Sequence, residues 1–275
     1  MTIRYAVLGL DDPSVLSLAH ALTEAGATAA AWWTQGEPAP LAAFLRAHPG
    51  AARTQIDDLL AAPDLPFVLI AAAAKDRADL ATQSLAAGKH VLVTGPGCLT
   101  EEDLGGLRLA QQSARRVWAV SHANGRWTDP SLGWALAAAE DGVIGALRHV
   151  GMRLSLPRDE ARPDLLAGHA GLALDAFLAL AGTQTAEITH AAGKTGAPWS
   201  EVSLRAGPLA GHIRTDRLAP DGTGAALALD ILGEAGRLSL SDGVDGARRL
   251  QTVTPDGHRT LPPGDTAPPA ARDFL

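Results

Sequence analysis

The chain has 275 residues, 47% hydrophobic and 19% charged, which excludes a disordered polyampholyte and leaves room for one large domain or two smaller ones. A formal charge of −7 argues against a polyanionic partner such as nucleic acid, and no apolar run is long enough to cross a bilayer. The single cysteine, Cys98, excludes an internal disulfide framework and a multi-cysteine zinc site and points to a reducing compartment, the cytoplasm.

The first ten residues are apolar but lack a small-residue cleavage site, so Ile3 to Leu8 reads as a first strand rather than as part of a signal peptide. A turn, Gly9 to Ser14, follows, and then Val15, Leu18, Ala19 and Leu22 recur at the spacing of one helix face. Gly26 stands where a glycine commonly closes a helix. Ala27 to Trp33 is a second apolar run, Leu41 to Ala47 a helix, and Phe67 to Ile70 a buried-strand run. A helix over Asp76 to Ala87 and a strand over His90 to Val93 come next. Thr100 and Asp103 have capping-box spacing and open a helix to about Ala114, and Val117 to Val120 is strand-like. Apolar strands alternating with helices predict a doubly wound, Rossmann-like parallel sheet over residues 1–122.

Residues 123–275 read differently. Helices are expected over Pro130 to Glu140 and Asp164 to Ala181, with a strand over Leu147 to Leu156. Strands then dominate: Ala186 to His190, Glu201 to Ala206, Gly211 to Thr215, Ala225 to Leu232 and Arg237 to Leu240, the last two joined by a hairpin turn at Gly233 to Gly236. This predicts a second, α+β domain with a mostly antiparallel sheet, ending in a proline-rich connector from Leu261 to Ala271.

The stretch Ala87-Gly-Lys-His-Val-Leu-Val93, followed by Thr94-Gly-Pro96 and Leu99-Thr100, resembles the Gfo/Idh/MocA family of glucose–fructose oxidoreductases and inositol dehydrogenases. Arg126-Trp-Thr-Asp-Pro130, Gly142 to Val150 and Ile231 to Leu240 resemble three further family segments in the same order. The resemblance implies an NAD or NADP cofactor, hydride transfer on a small sugar- or polyol-like substrate, and a homo-oligomer built through the C-terminal sheet.

The cofactor positions depart from that pattern. In the turn Gly9, Leu10, Asp11 to Ser14, only Gly9 survives of the three glycines that let backbone N–H groups approach a pyrophosphate. A carboxylate about 5 Å from a phosphate charge costs about 3 kcal/mol at an effective dielectric near 20. The competing reading makes Asp12 a helix N-cap with Pro13 at the first helical position. After the second strand only Thr34 offers the ribose a hydrogen bond, and no acidic or basic selector favours NAD or NADP. The family's T-P-N segment falls on Ala72, Ala73 and Ala74, with Arg77 at the histidine that follows it; in a chain with 55 alanines, these three carry little information. Pro96 is retained from the E-K-P turn, but the lysine is Gly95.

The family's catalytic helix aligns on Asp175, which puts Leu172 at its histidine. Neither Gly95 nor Leu172 can move the hydroxyl proton, a step for which a placed acid/base contributes about 10²- to 10⁴-fold. His169, one turn back from Leu172, and His122, closing the last Rossmann strand, are the candidate substitutes, each weighed against an ordinary structural histidine. No spacing suggests a metal site. Relatives continue past a segment like Ala271-Arg-Asp-Phe-Leu275 into a helix; either this protein has lost that helix, which is expected to expose apolar surface and favour association, or these residues belong to a longer product. Two functions stay open: an NAD(P)-dependent oxidoreductase with a degenerate site, and an inactive relative that serves as a small-molecule-binding or partner protein.

Overall fold

A computed structural model describes residues 2–121, 130–157, 170–193, 197–219, 226–242 and 248–261. The chain divides into two compact units, Met1–Ala123 and Asn124–Pro268.

The first unit holds six strands: β1 (Ile3–Leu8), β2 (Ala27–Trp33), β3 (Ala52–Arg53), β4 (Phe67–Ile70), β5 (His90–Thr94) and β6 (Trp118–Ser121). They lie in the order β3-β2-β1-β4-β5-β6, every pair parallel, which is the doubly wound dinucleotide-fold order. The crossovers carry α1 (Val15–Glu24), α2 (Leu41–Ala47), α3 (Ile56–Ala61), α4 (Arg77–Ala86) and α5 (Glu101–Ala114). Because strand side chains alternate, β1 feeds two cores. Tyr5 and Val7 pack with Val15, Leu22 and Phe44, and Ala6 and Leu8 pack with Leu59, Leu85 and Leu107. Tyr5 stacks on Phe67 at 5.0 Å between ring centroids.

Local chemistry sets several boundaries. The Thr100 hydroxyl accepts the Asp103 N–H at 3.1 Å, and three acidic residues in the first turn favour the positive end of α5. Gly26 follows α1 at φ +92°, a conformation that costs glycine little. One expectation is corrected. Pro13 is not the first helical residue: Asp12, Pro13 and Ser14 form a turn and α1 starts at Val15, whose N–H reaches the Asp12 carbonyl at 3.1 Å. The short exposed strand β3 and the helix α3 were not expected; β3 has too few residues for periodicity, although Asp57 and Asp58 mark the start of α3.

The second unit contains α6 (Pro130–Glu140), β7 (Leu147–Pro157), α7 (Gly171–Ala181), β8 (Glu187–Gly193), β9 (Trp199–Ala206), β10 (Leu209–Ala219), β11 (Ala226–Gly233), β12 (Gly236–Asp242), β13 (Arg248–Thr254) and β14 (Gly257–Leu261). Its sheet runs β14-β13-β12-β11-β7-β10-β9-β8, antiparallel except for the β7–β10 pair. One face packs on the two helices: Leu132 and Leu136 from α6, and Ala173, Ala176 and Phe177 from α7, meet Val150, Met152, Leu229 and Leu240. Phe177 lies over Gly211, where a Cβ would come 2.5 Å from its ring. The hairpin at Gly233 to Gly236 forms as expected, for an added reason. A Cβ on Gly233 would meet the Ile144 carbonyl at 2.2 Å, so the segment before β7 also demands glycine there. The β13–β14 hairpin was not expected, and the 164–169 part of the expected second helix lies outside the described residues.

Candidate functional site

In a doubly wound sheet the carboxyl ends of the strands form the binding edge. Here the segments leaving β1, β4 and β5 meet there. Gly9 leaves β1 at φ +76°, and a Cβ on it would lie 2.4 Å from the Ala72 Cα. The surviving glycine of the turn is therefore required by the neighbouring strand exit of this same chain. Its N–H donates to the Trp33 carbonyl at 2.7 Å.

Asp12 and Arg77 form the centre of this edge. They are 6% and 4% exposed, and the Arg77 Nη2 donates to Asp12 Oδ2 at 2.6 Å. The other carboxylate oxygen, Oδ1, accepts the Ser14 N–H at 3.0 Å and the Ser14 hydroxyl at 2.7 Å. Arg77 also donates from Nε to the Ala72 carbonyl at 2.8 Å, and from Nη1 to the carbonyls of Thr94 at 2.9 Å and Pro96 at 3.1 Å. One guanidinium thus ties together the exits of three strands. A buried charge is tolerated only when paired and hydrogen-bonded, and both conditions hold here.

This arrangement does not fit a dinucleotide pyrophosphate, the group the fold implies. The N–H groups of Asp11 and Asp12 both donate to the Ala71 carbonyl, at 2.9 and 3.0 Å. Those of Ser14, Val15 and Leu16 are taken by Asp12 Oδ1 and by the carbonyls of Asp12 and Pro13, and Pro13 itself has no N–H. A buried carboxylate stands at the start of α1, where the helix would otherwise favour a phosphate.

The other candidate cofactor residues are distributed as follows. Leu10 is fully buried in the core, Asp11 is exposed and Ser14 is buried against Asp12. Thr34 is buried, with its hydroxyl 3.5 Å from the Gln35 carbonyl. Ala72 packs against Gly9 and gives its carbonyl to Arg77, Ala74 opens a short 3-10 turn before α4, and Pro96 gives its carbonyl to Arg77. Gly95 is buried, with its N–H on the Ser121 carbonyl at 2.8 Å. Sequence reasoning missed the role of Arg77, whose only signal was a basic residue opening a helix at a strand exit.

Of the candidate catalytic residues, His122 and His169 lie outside the described residues. Asp175 is half-buried on α7, and Leu172, at the histidine position, is buried in the core of the second unit. Cys98 is half-buried, and burial together with Asp103 pushes its thiol pKa up, away from the reactive thiolate. Among the described residues no three His, Cys, Asp or Glu side chains cluster as metal ligands, and no helix is long and apolar enough to cross a membrane. The second unit holds a cavity of about 590 Å³ between α7 and strands β8 to β10, lined mainly by Leu174, Leu178, Ile188, Val202, Leu204 and Ile213.

No protein-family model and no curated protein sequence matches this chain. Solved structures do. A protein inferred to be an oxidoreductase, from Erwinia carotovora atroseptica SCRI1043, superposes with a TM-score of 0.89 at 22% identity, covering 99% of this chain and 90% of that one. A levoglucosan dehydrogenase in complex with NADH gives 0.76 at 17% identity, over 99% and 83% of the two chains. A 3-ketoreductase from Actinomadura kijaniata in complex with NADP gives 0.76 at 17%, over 100% and 88%. At these identities the likeness establishes a shared fold: this chain has the two-sheet α/β architecture of oxidoreductases that act with NADH or NADP.

Proposed function

We propose that this chain is a member of the Gfo/Idh/MocA type that keeps the sugar-oxidoreductase scaffold and has given up its NAD(P)-dependent step, working as a small-molecule-binding or partner protein in the cytoplasm. The observation that carries this reading is the buried Asp12–Arg77 pair, together with the backbone donors of the turn that are already spent inside the chain. Gly95 and Leu172, standing at the lysine and histidine positions implied by the resemblance, support it, because neither side chain transfers a proton. The proposed form is a homo-oligomer assembled through the eight-stranded sheet, checked by the mass of the purified protein in sedimentation.

A second reading has its own support. Superposition of 99% and 100% of this chain on a levoglucosan dehydrogenase in complex with NADH and a 3-ketoreductase in complex with NADP favours an oxidoreductase acting on a small sugar- or polyol-like substrate, with His169, His122 or Asp175 as acid/base. Titration of the purified protein with millimolar NADH and NADPH separates the two. The first reading expects no saturable change in nicotinamide fluorescence and no thermal shift. Saturable binding, with turnover of a polyol or sugar lost in His169→Ala or His122→Ala, establishes the second.

A further inference from the structure

We infer that the start of α1 and the Arg77 guanidinium form an anion site that the chain fills itself, with the Asp12 carboxylate standing in for the phosphate a dinucleotide would bring. The inference rests on the proposed loss of cofactor and says what replaced it.

Three observations meet on one carboxylate. Asp12 Oδ1 takes the N–H and hydroxyl of Ser14, at 3.0 and 2.7 Å, as an anion at a helix start would. Asp12 Oδ2 takes the guanidinium at 2.6 Å, a charge-assisted bond of the kind that recognises carboxylates and phosphates alike. Arg77 also donates to the carbonyls of Ala72, Thr94 and Pro96, which accept hydrogen bonds but carry no charge. A cation 4% exposed needs an anion beside it, and the chain supplies one on a backbone tether. Tethering raises the effective concentration of that anion to the order of millimolar or above, so a free phosphate of similar intrinsic affinity is excluded.

Anion rescue tests this. In Asp12→Gly the guanidinium loses the Asp12 carboxylate and the melting temperature falls. Sodium phosphate or sodium formate is expected to restore it by about 3–5 °C relative to sodium chloride at equal ionic strength. That rescue is counted as the shift beyond the one the same anions give the unmodified chain and the double variant Asp12→Gly/Arg77→Gln, because phosphate stabilises folded proteins generally. Should Asp12→Gly fail to fold, Asp12→Ala, which also opens the space of the carboxylate, is read the same way. If neither anion exceeds chloride, or if rescue survives the loss of Arg77, the inference falls while the proposed function stands. Saturable NADH binding by the unmodified chain overturns both.

Discussion

The strand-exit edge of the first unit and the α7–β8 side of the second differ in how their space is used. At the first, where motif positions led us to expect a cofactor, a buried ion pair and a close glycine contact fill the space. At the second, where no motif was read, a cavity of about 590 Å³ lies among aliphatic side chains, with Leu174 and Ile188 exposed. Motif positions can thus be engaged in contacts internal to the chain, and an apolar cavity can lie where no motif was read.

The largest effect that could break this comparison comes from Arg77→Met. It removes the guanidinium from beside the buried Asp12 carboxylate, and urea unfolding is expected to report a loss of about 3–5 kcal/mol. A loss below about 1 kcal/mol would mean that the edge is not held by the pair. Gly9→Ala is expected to cost about 3 kcal/mol, from its φ of +76° and from the Cβ meeting Ala72. The effect should be on stability and should be the same with or without NADH, since the contact lies within the chain.

A pH dependence gives a smaller effect in the first unit. Burial, and then the charge of Arg116, lower the His90 pKa, and its Nδ1 accepts the Val117 N–H at 3.2 Å, which requires that nitrogen unprotonated. The folded state therefore binds this proton less readily than the unfolded state, whose histidine titrates near 6.5. The contribution is fully present above about pH 6.5 and is lost as pH falls through that value toward the lowered folded pKa. Thermal melts of the unmodified chain should lose more between pH 7 and pH 5 than those of His90→Asn. Smallest of all, Leu174→Ser and Ile188→Ser in the second unit are expected to change stability by about 0.5 kcal/mol or less, because both side chains are exposed. Large losses there would show that this face is as tightly built as the first.

Much of the fold was legible. Apolar runs located β1, β2, β4 and β5, and helical stretches located α1, α2 and α4, because burying a strand on both faces or a helix on one leaves a local trace. Thr100 announced its cap for the same reason: donor and acceptor lie three residues apart. The strand β3 left no trace, since it has two exposed residues.

The sequence by itself determined the order of elements and the two kinds of sheet, because each is a property of short stretches of chain. It raised Asp12 as a cap and left that reading open. The tertiary structure starts α1 at Val15 instead and brings Arg77, 65 residues away, against the Asp12 carboxylate. Likewise, Gly9 is glycine because β4 leaves the sheet beside it, and Gly233 because the segment at Ile144 crosses over it. Space and charge balance at such places are set by residues distant in the chain, and no local pattern records them.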